Sequence, residues 1–228
     1  MLSRHEEKYI LDYRQYLMLR NRAMAVLTPD ENALDGSYVI TSLYFDDPLD
    51  TALYEKLDGL QEHSKFRLRT YGCSSEVIKL ERKDKQGIMT KKISARIPIE
   101  MLPALEGANM DLAQFSGAAY DLAAQMTAQG LQRSIAVRYR REAFCFPGSD
   151  LRLTFDTELQ ALRPDLESLT DPTLSGVPVL PANQVIMEIK YNDYLPSFVR
   201  KLTNVSCKQL SVSKYALCRA RYFTQEAE

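Results

Sequence analysis

The 228-residue sequence lacks several features that would assign it to a familiar class of protein. It contains no tryptophan and no Cys-x-x-Cys pair, and its cysteines are far apart, at Cys73, Cys145, Cys207 and Cys218. Such spacing argues against a zinc site or a disulfide framework and is typical of free thiols in a reducing compartment. No segment approaches the roughly 18 uninterrupted apolar residues that a membrane-spanning helix needs. We therefore expect a cytoplasmic chain with no transmembrane segment.

Targeting signals, linkers and repeats are missing as well. Residues 1–8 become charged at once and lack the apolar stretch of a signal peptide. The 9 glycines and 10 prolines are scattered, so they form no linker, and no segment recurs at a regular period. With 45% apolar residues the chain can bury a substantial core. We expect residues 1–228 to form a single domain.

Net charge is nearly absent, at −1, but the charges are distributed unevenly. Residues 65–96 contain ten Lys or Arg and three Asp or Glu, which gives a local charge of +7. The rest of the chain carries −8, because 29 − 10 leaves 19 basic residues and 30 − 3 leaves 27 acidic ones. A basic centre in an acidic chain indicates an enclosed anion site. Nucleic-acid-binding proteins usually spread their basic charge over an open face instead.

Alternating polar and apolar residues predict a structure rich in strands, because a strand with two different faces has a period of two. The pattern predicts about eight strands, drawn from residues 6–10, 37–45, 65–69, 77–83, 92–97, 134–146, 151–156, 185–190 and 211–215. Helices are predicted over 12–27, from Asp47-Pro48 to Gly59, over 98–131 and after Pro196.

The charged faces of these strands are predicted to point inward. At 65–69 and 92–96 the charges have one sign, whereas a face in water normally mixes signs. Like charges that are directly opposed on neighbouring strands repel by up to roughly 1 kcal/mol, so an anionic ligand must recover that cost. The helices need the apolar faces, which places them outside. We therefore predict an α+β fold in which the sheet closes into a barrel, which also removes exposed edges.

Phosphate is the expected occupant, because guanidinium groups pair with it bidentately and lysines act as point charges. The same strand faces carry four acidic residues: Glu6, Glu81, Asp156 and Glu188. Each is either an ion-pair partner of a neighbouring cation or, together with phosphate oxygens, a ligand of Mg²⁺ or Mn²⁺. Glu188 is the preferred metal ligand among them.

Eight short segments recur in the order of a known family. They are Arg4–Tyr9, Ser42–Asp46, Lys65–Gly72, Glu81–Lys83, Tyr139–Phe144, Arg152 with Phe155–Thr157, Glu188–Tyr191 and Ser213–Tyr215. From Arg4 to Tyr215 the sequence resembles the VTC domain, the polyphosphate polymerase branch of the triphosphate tunnel metalloenzymes, also called the CYTH superfamily. Each segment alone is a weak signal, and eight in order are specific.

The resemblance implies an eight-stranded antiparallel tunnel with Mn²⁺ or Mg²⁺ as its cofactor. The residues that match the family's phosphate ligands are Lys8, Arg67, Arg69, Lys83, Arg141, Arg152 and Lys214, with Ser213 beside the last. Glu188 would hold the metal, and Glu6, Glu81 and Asp156 are the further acidic candidates. Strand positions add Lys79, Lys92, Arg138 and Lys190 as phosphate-binding residues. Arg138 and Arg141 cannot both face inward without a bulge.

Some positions depart from the family pattern. Ser94 and Ser211 stand where the eukaryotic polymerases are expected to carry basic residues. The classical triphosphatases open with Glu-x-Glu-x-Lys, whereas this sequence has Arg4, Glu6 and Lys8, which favours the polymerase branch over adenylate cyclase or thiamine triphosphatase. The regulatory SPX module and the membrane segment of the eukaryotic complex are not in this sequence. Any membrane-protein partner would therefore be encoded elsewhere.

Three functions remain open at this point. The first is a phosphotransferase that moves the terminal phosphate of ATP or another triphosphate onto inorganic polyphosphate. The second is a metal-dependent tripolyphosphatase or nucleoside triphosphatase, in which water is the acceptor. The third is a non-catalytic module that binds polyphosphate. No nucleic-acid partner is expected, because stacking would need aromatic residues on the basic faces and we expect none there.

Overall fold

The strands and helices are placed by a computed structural model, which describes residues 5–31, 33, 35–72, 77–87, 89–105, 110–192, 194–204 and 213–226. Two compact units emerge. Unit 1 comprises Met1–Val39, Tyr139–Leu159 and Leu180–Val212, and unit 2 comprises Ile40–Arg138, Gln160–Val179 and Ser213–Glu228. Three long strands contribute residues to both units.

Strands dominate the described residues. They are β1 (His5–Asp12), β2 (Thr28–Pro29), β3 (Tyr38–Asp46), β4 (Glu62–Tyr71), β5 (Val77–Gln86), β6 (Met89–Pro98), β7 (Gln132–Cys145), β8 (Arg152–Leu162), β9 (Val177–Pro178) and β10 (Gln184–Tyr191). The α-helices are α1 (Tyr13–Val26), α2 (Thr51–Leu57), α3 (Gly117–Ala128), α4 (Glu167–Thr170), α5 (Ser197–Leu202) and α6 (Lys214–Glu226). Two short 3₁₀ helices span Ile99–Leu105 and Leu112–Gln114.

The sheet is antiparallel wherever its register is defined. In unit 1, β10 pairs with β1 on one side and with β8 on the other. In unit 2, β4 pairs with both β3 and β5, and β5 pairs with β6. The hydrogen-bonding order is β1-β10-β8-β7-β3-β4-β5-β6, with the two-residue strands β2 and β9 attached to β7 and β8. The predicted combination of an antiparallel sheet with helices is therefore confirmed.

The predicted closure into a barrel is not confirmed. Within the described residues the order begins at β1 and ends at β6, so the sheet is open. Closure would need these two strands to exchange backbone hydrogen bonds, and no pairing joins them in that part of the chain.

Unit 1 has its core on one face of the sheet. Phe155 on β8 and Met187 on β10 are fully buried, and Leu19 of α1 belongs to the same apolar cluster. Helix α1 begins with a capping box, because Asp12 accepts a hydrogen bond from the Gln15 backbone and the Gln15 side chain accepts one from the Asp12 backbone. The predicted helix over 12–27 is thus confirmed, and it covers the apolar strand face as expected.

Unit 2 repeats this arrangement with different elements. Leu68 on β4 and Leu80 on β5 are fully buried, and they share an apolar cluster with Leu122 of α3. Because strand residues alternate between faces, this packing commits the intervening basic residues to the opposite face. The register of the basic face is fixed by the core beneath it.

Two predicted elements are wrong. A strand was expected over 211–215, yet α6 begins at Lys214, while 211 and 212 lie outside the described residues. Tyr215 and Cys218 are both buried and three residues apart, which is a helical spacing. The predicted segment 211–215 was too short to show it. A helix was expected over 98–131, yet α3 covers only Gly117–Ala128. Pro103 lacks the N–H that an α-helix needs at that position, and a 3₁₀ helix forms there instead.

Other absences hold for the described residues. No helix there is both long and apolar enough to cross a bilayer. Cys145 and Cys218 are free thiols, as predicted, whereas Cys73 and Cys207 lie outside the described residues.

Candidate functional site

Unit 2 presents a strongly basic strand face. We call it the basic face; its cations on β4, β5 and β6 are Lys65, Arg67, Arg69, Lys79, Lys83, Lys85, Lys92 and Arg96, and among the described residues of these strands Glu81 is its one carboxylate. Lys85 is at the end of the face, opposite His63 and Thr90. The register places them in rows across β4, β5 and β6. One row is Lys65–Lys83–Lys92, the next is Arg67–Glu81–Ser94, and the third is Arg69–Lys79–Arg96. The sequence predicted this alternation, and the structure brings the rows together.

Glu81 lies in the middle row and neutralises part of this charge. Arg67 Nη2 is 2.7 Å from Glu81 Oε2, and Lys92 Nζ is 2.9 Å from Glu81 Oε1. Burial alone would raise the pKa of Glu81, but the charges of Arg67, Arg69 and Lys92 lower it from 4.5 to about 2. Glu81 was predicted to be either an ion-pair partner or a metal ligand. Its contacts with Arg67 and Lys92 are those of an ion-pair partner.

Two tyrosines lie on the basic face, which contradicts the expectation that it would carry no aromatic residue. Tyr44 is opposite Arg67, and its hydroxyl accepts a hydrogen bond of 3.1 Å from Arg67 Nη1. Burial would raise the pKa of Tyr44, but Arg67, Arg69 and Lys214 outweigh it and the pKa is lowered. The Tyr71 ring centroid lies 4.7 Å from Lys79 Nζ. Both rings contact cations of the protein itself.

The start of α6 lies beside this face. Lys214 is its first residue, and its charge acts on the Tyr44 hydroxyl. Ser213 precedes the helix, and its Oγ accepts a weak hydrogen bond of 3.4 Å from the Ala216 backbone. The predicted pair Ser213–Lys214 is therefore near the basic face, but it comes from a helix N-terminus rather than from a strand.

Unit 1 presents a face on which both signs alternate. We call it the mixed-charge face, and its residues are Glu6, Lys8, Arg141, Arg152, Asp156, Glu188 and Lys190. Glu6 is opposite Lys190, which is opposite Arg152, and Lys8 is opposite Glu188, which is opposite Thr154. Every charged residue of this face was predicted from the sequence, and the structure groups them.

Ion pairs connect this face from end to end. Arg141 binds Asp156 bidentately, with Nε to Oδ1 at 2.6 Å and Nη2 to Oδ2 at 2.7 Å, and both side chains are at least nine-tenths buried. Arg141 Nη2 also lies 3.6 Å from Glu188 Oε2, which Lys190 Nζ approaches to 3.0 Å. Lys190 continues to Glu6 at 3.4 Å, and Glu6 lies 3.6 Å from Lys8. The charges on this face therefore largely compensate one another.

The guanidinium of Arg152 is held by Asp30, a loop residue that was not identified from the sequence. Its Nη2 pairs with buried Asp30 and donates to the Tyr38 hydroxyl at 2.8 Å. Burial, opposed by the charge of Arg152, raises the pKa of Tyr38 to about 12. Asp30 and Arg152 are 122 positions apart, so local sequence carried no signal for their pairing.

Arg138 is not part of either face. Its guanidinium donates to the backbone carbonyls of Ser168, Asp171, Pro172 and Leu174 at 2.8–3.3 Å. On β7 it shares the parity of Ala136, which belongs to the unit 2 core, whereas Arg141 has the opposite parity. Simple alternation therefore decides between Arg138 and Arg141 without a bulge. The phosphate-binding role predicted for Arg138 stays a prediction that its contacts do not favour.

The carboxylates of the mixed-charge face fit a divalent ion only in a limited way. No three His, Cys, Asp or Glu side chains converge as a metal cage in the described ranges. Asp156 uses both carboxylate oxygens on Arg141, whereas Glu188 contacts Lys190 and Arg141 through Oε2. Mg²⁺ is commonly held by one or two carboxylates plus substrate phosphates. The donor set around Glu188 and Glu6 is compatible with that arrangement.

Some residues near the faces were missed as site candidates. Lys65, Arg96 and Tyr44 have the parity of the predicted ligands, and extending the alternation by one residue would have included them. Thr154 lies between Arg152 and Asp156 on the same face of β8. Its polar side chain at this parity could have identified it as a site candidate.

Comparison with known proteins agrees with the fold. The VTC domain family model matches residues 3–223, which confirms the resemblance. Among curated proteins, none matches the sequence significantly. PH1819 protein from Pyrococcus horikoshii OT3 has a TM-score of 0.51 at 12% identity, covering 96% of this chain and 99% of that chain. A candidate adenylate cyclase (bh2851) from Bacillus halodurans has a TM-score of 0.54 at 13% identity, covering 93% and 96%. At these identities the likeness concerns the fold alone.

Proposed function

Because the chain belongs to the VTC domain family, we propose that it is a polyphosphate polymerase-like phosphotransferase. It binds ATP or another triphosphate together with inorganic polyphosphate, and it transfers the terminal phosphate of the donor to the end of the chain. Mn²⁺ or Mg²⁺ is its cofactor, and a cytoplasmic location gives it access to ATP.

The observation that carries this proposal is the composition of the basic face. Eight cations and one carboxylate lie on the described residues of three adjacent strands, and the buried core beneath prevents the strands from slipping register. Such a concentration of like charge is costly unless an anion occupies it. A row of phosphates matches it, because arginines pair with phosphate oxygens bidentately and lysines add point charges.

The reaction needs little covalent help from the protein. A terminal oxygen of the polyphosphate chain attacks the terminal phosphorus of the donor, and the bond from that phosphorus to its bridging oxygen breaks. The electron pair of this bond leaves with the diphosphate of the nucleotide. Catalysis then consists of aligning donor and acceptor and neutralising the charge on the transferring group.

Each face, taken by itself, has residues that can supply part of these functions. Arg67, Arg69 and Lys83 bind and orient phosphates, and Lys8, Arg141 and Arg152 do so on the mixed-charge face. Glu188, with Glu6 near it, would hold the divalent ion, which would supply positive charge to offset that of the phosphates. Asp156 keeps the Arg141 guanidinium in place through its bidentate contact.

The test is to incubate the purified chain with ATP and Mn²⁺, with and without a diphosphate primer, and to separate the products on a gel stained for polyphosphate. We expect ladders of long chains that disappear in Glu188→Gln, because this variant removes the negative charge without changing the shape of the side chain. Glu158→Gln is the matched control, since Glu158 is an exposed carboxylate on β8 that pairs with Arg140.

Other products would point to the other functions. Free phosphate without ladders would make the chain a tripolyphosphatase or nucleoside triphosphatase. Tight binding of polyphosphate without turnover would leave a binding module. Ladders that persist in Glu188→Gln would remove Glu188 from the metal site.

A further inference from the structure

One buried hydroxyl on the mixed-charge face has no hydrogen-bond partner among the described residues. Thr154 is fully buried, and its Oγ1 neither donates nor accepts there. Buried threonines elsewhere are satisfied: Thr70 Oγ1 donates to the Leu169 carbonyl at 3.3 Å, and Thr41 Oγ1 accepts from Arg138 at 3.2 Å. Thr154 is thus unusual, because among the described residues only two other buried side-chain polar atoms lack a partner, Arg152 Nε and Arg219 Nε.

The surroundings of Thr154 are those of a ligand site. It lies on β8 two residues from Arg152 and two from Asp156, on the same face, and directly opposite Glu188 on β10. The Nε of Arg152 is also buried without a partner among the described residues. Two neighbouring residues on this face, about 7 Å apart along the strand backbone, thus each have a donor that lacks an acceptor among the described residues.

The missing partner is an acceptor rather than a donor. Arginine Nε can only donate, and the threonine hydroxyl can donate as well as accept. The nearest acidic group on the same strand, Asp156, has both oxygens bound by Arg141. A metal ion would satisfy the hydroxyl, but it cannot accept a hydrogen bond from Arg152. An anionic oxygen satisfies both groups.

We infer that the Thr154 hydroxyl is a substrate-binding group, which donates to a phosphate oxygen of the bound triphosphate beside Arg152. This inference rests on the proposed function, since it assigns a further residue to the same phosphate-binding site. It also explains why a polar group can remain buried at this position: the ligand, rather than the protein, completes its hydrogen bonding. A valine has nearly the same shape and would avoid the unsatisfied hydroxyl altogether.

The experiment measures the binding of inorganic tripolyphosphate to the full chain by calorimetry, first in EDTA and then with Mn²⁺. Thr154→Val is expected to bind about 10- to 100-fold more weakly in EDTA, the factor for losing a hydrogen bond to a charged group. Thr154→Ser keeps the hydroxyl and should bind within about threefold of the wild type. In the absence of ligand the melting temperature of Thr154→Val should equal or exceed that of the wild type, because an unsatisfied polar group has been removed.

Thr70→Val is the matched control, because Thr70 is equally buried but its hydroxyl has a protein partner. Its melting temperature should fall, since the Leu169 carbonyl loses its donor, while tripolyphosphate affinity stays unchanged. Should Thr154→Val not fold, Thr154→Ala replaces it with the same expected loss of affinity.

The outcomes separate this inference from the proposed function. Equal binding by wild type and Thr154→Val overturns the role of Thr154 and leaves the proposed function standing. A loss of affinity that appears only with Mn²⁺ also overturns it, because the hydroxyl would then act on the metal. No binding of tripolyphosphate by the wild type would overturn the proposed function and this inference together.

Discussion

The basic face of unit 2 and the mixed-charge face of unit 1 arise from the same strand pattern but differ in charge balance. Eight cations and one carboxylate lie on the described residues of the first. On the second, four cations (Lys8, Arg141, Arg152 and Lys190) meet three acidic residues, and Asp30 adds a fourth carboxylate. The first face keeps an excess of positive charge beyond what Glu81 offsets, and a bound anion would reduce it. The second is already paired, so its charges contribute to stability as well as to any ligand site.

The difference predicts opposite responses to mutation. Removing a charge from the mixed-charge face leaves a buried partner uncompensated and should reduce stability. Removing a cation from the basic face relieves repulsion and should reduce ligand binding instead. The following three predictions test this contrast, beginning with the largest expected effect.

Asp156→Asn is expected to lower the free energy of unfolding by about 3–5 kcal/mol, because it leaves the buried Arg141 guanidinium without its bidentate carboxylate. Urea unfolding followed by circular dichroism measures this loss. In Glu158→Gln, which breaks an exposed ion pair with Arg140, the change should stay below about 1 kcal/mol. A loss below about 1 kcal/mol for Asp156→Asn as well would refute the idea that pairing stabilises this face.

Glu81 should make unit 2 sensitive to acid. Its folded pKa of about 2 lies below the ordinary 4.5, so the unfolded chain binds the extra proton and the folded chain does not. The resulting stabilisation, at most about 3 kcal/mol, is complete above pH 4.5 and is lost as the pH falls to about 2.

The acid sensitivity is measured by urea unfolding of wild type and Glu81→Gln between pH 7 and pH 2. The two should differ by up to about 3 kcal/mol at pH 7 and converge near pH 2, because protonated Glu81 resembles glutamine. A constant difference across the range would exclude Glu81 as the source, and Glu158→Gln should follow the wild type throughout.

Arg69→Gln should separate binding from stability on the basic face. Arg69 is opposite Lys79, and its Nε donates to the Ser42 hydroxyl at 3.0 Å. We expect tripolyphosphate affinity to fall about tenfold or more, while the free energy of unfolding changes by less than about 1 kcal/mol because like-charge repulsion is relieved. Calorimetry at low and high salt measures the first quantity, and urea unfolding measures the second.

Arg138→Met is the converse control for that experiment. Four backbone carbonyls between Ser168 and Leu174 lose their donor, so stability should fall by roughly 2 kcal/mol. Tripolyphosphate affinity should not change. If Arg138→Met weakened binding as strongly as Arg69→Gln, the phosphate role predicted from the sequence would be correct after all.

Much of the fold was predictable because most of its strands show the same alternation of polar and apolar residues, with a period of two. The alternation at 65–69 and 77–83 predicted both the strands and the face on which their cations lie, and the burial of Phe66, Leu68 and Leu80 confirms it. The helix from Lys214 was missed because the segment considered, Ser211–Tyr215, ends after the first two residues of the helix and is too short to show a helical period. The extent of α3 was overestimated because alanine and leucine favour helix even where Pro103 prevents it.

The candidate site was predictable as a set of residues but not as a set of pairs. The choice between Arg138 and Arg141 needed the position of one core residue, Ala136, to fix the parity of β7. Asp30 and Thr154 belong to no recognisable motif. Asp30 was identified by its contact with Arg152, and Thr154 by the absence of a hydrogen-bond partner among the described residues.

The sequence by itself determined which faces of the regularly alternating strands are apolar and which are charged, because a period of two is a local property of the chain. Only the tertiary structure decided how those charges are compensated. Glu81 meets Arg67 across 14 positions, and Arg152 meets Asp30 across 122. The energy of an ion pair depends on separation and burial in space, and these are set by the pairing of distant strands rather than by any local pattern.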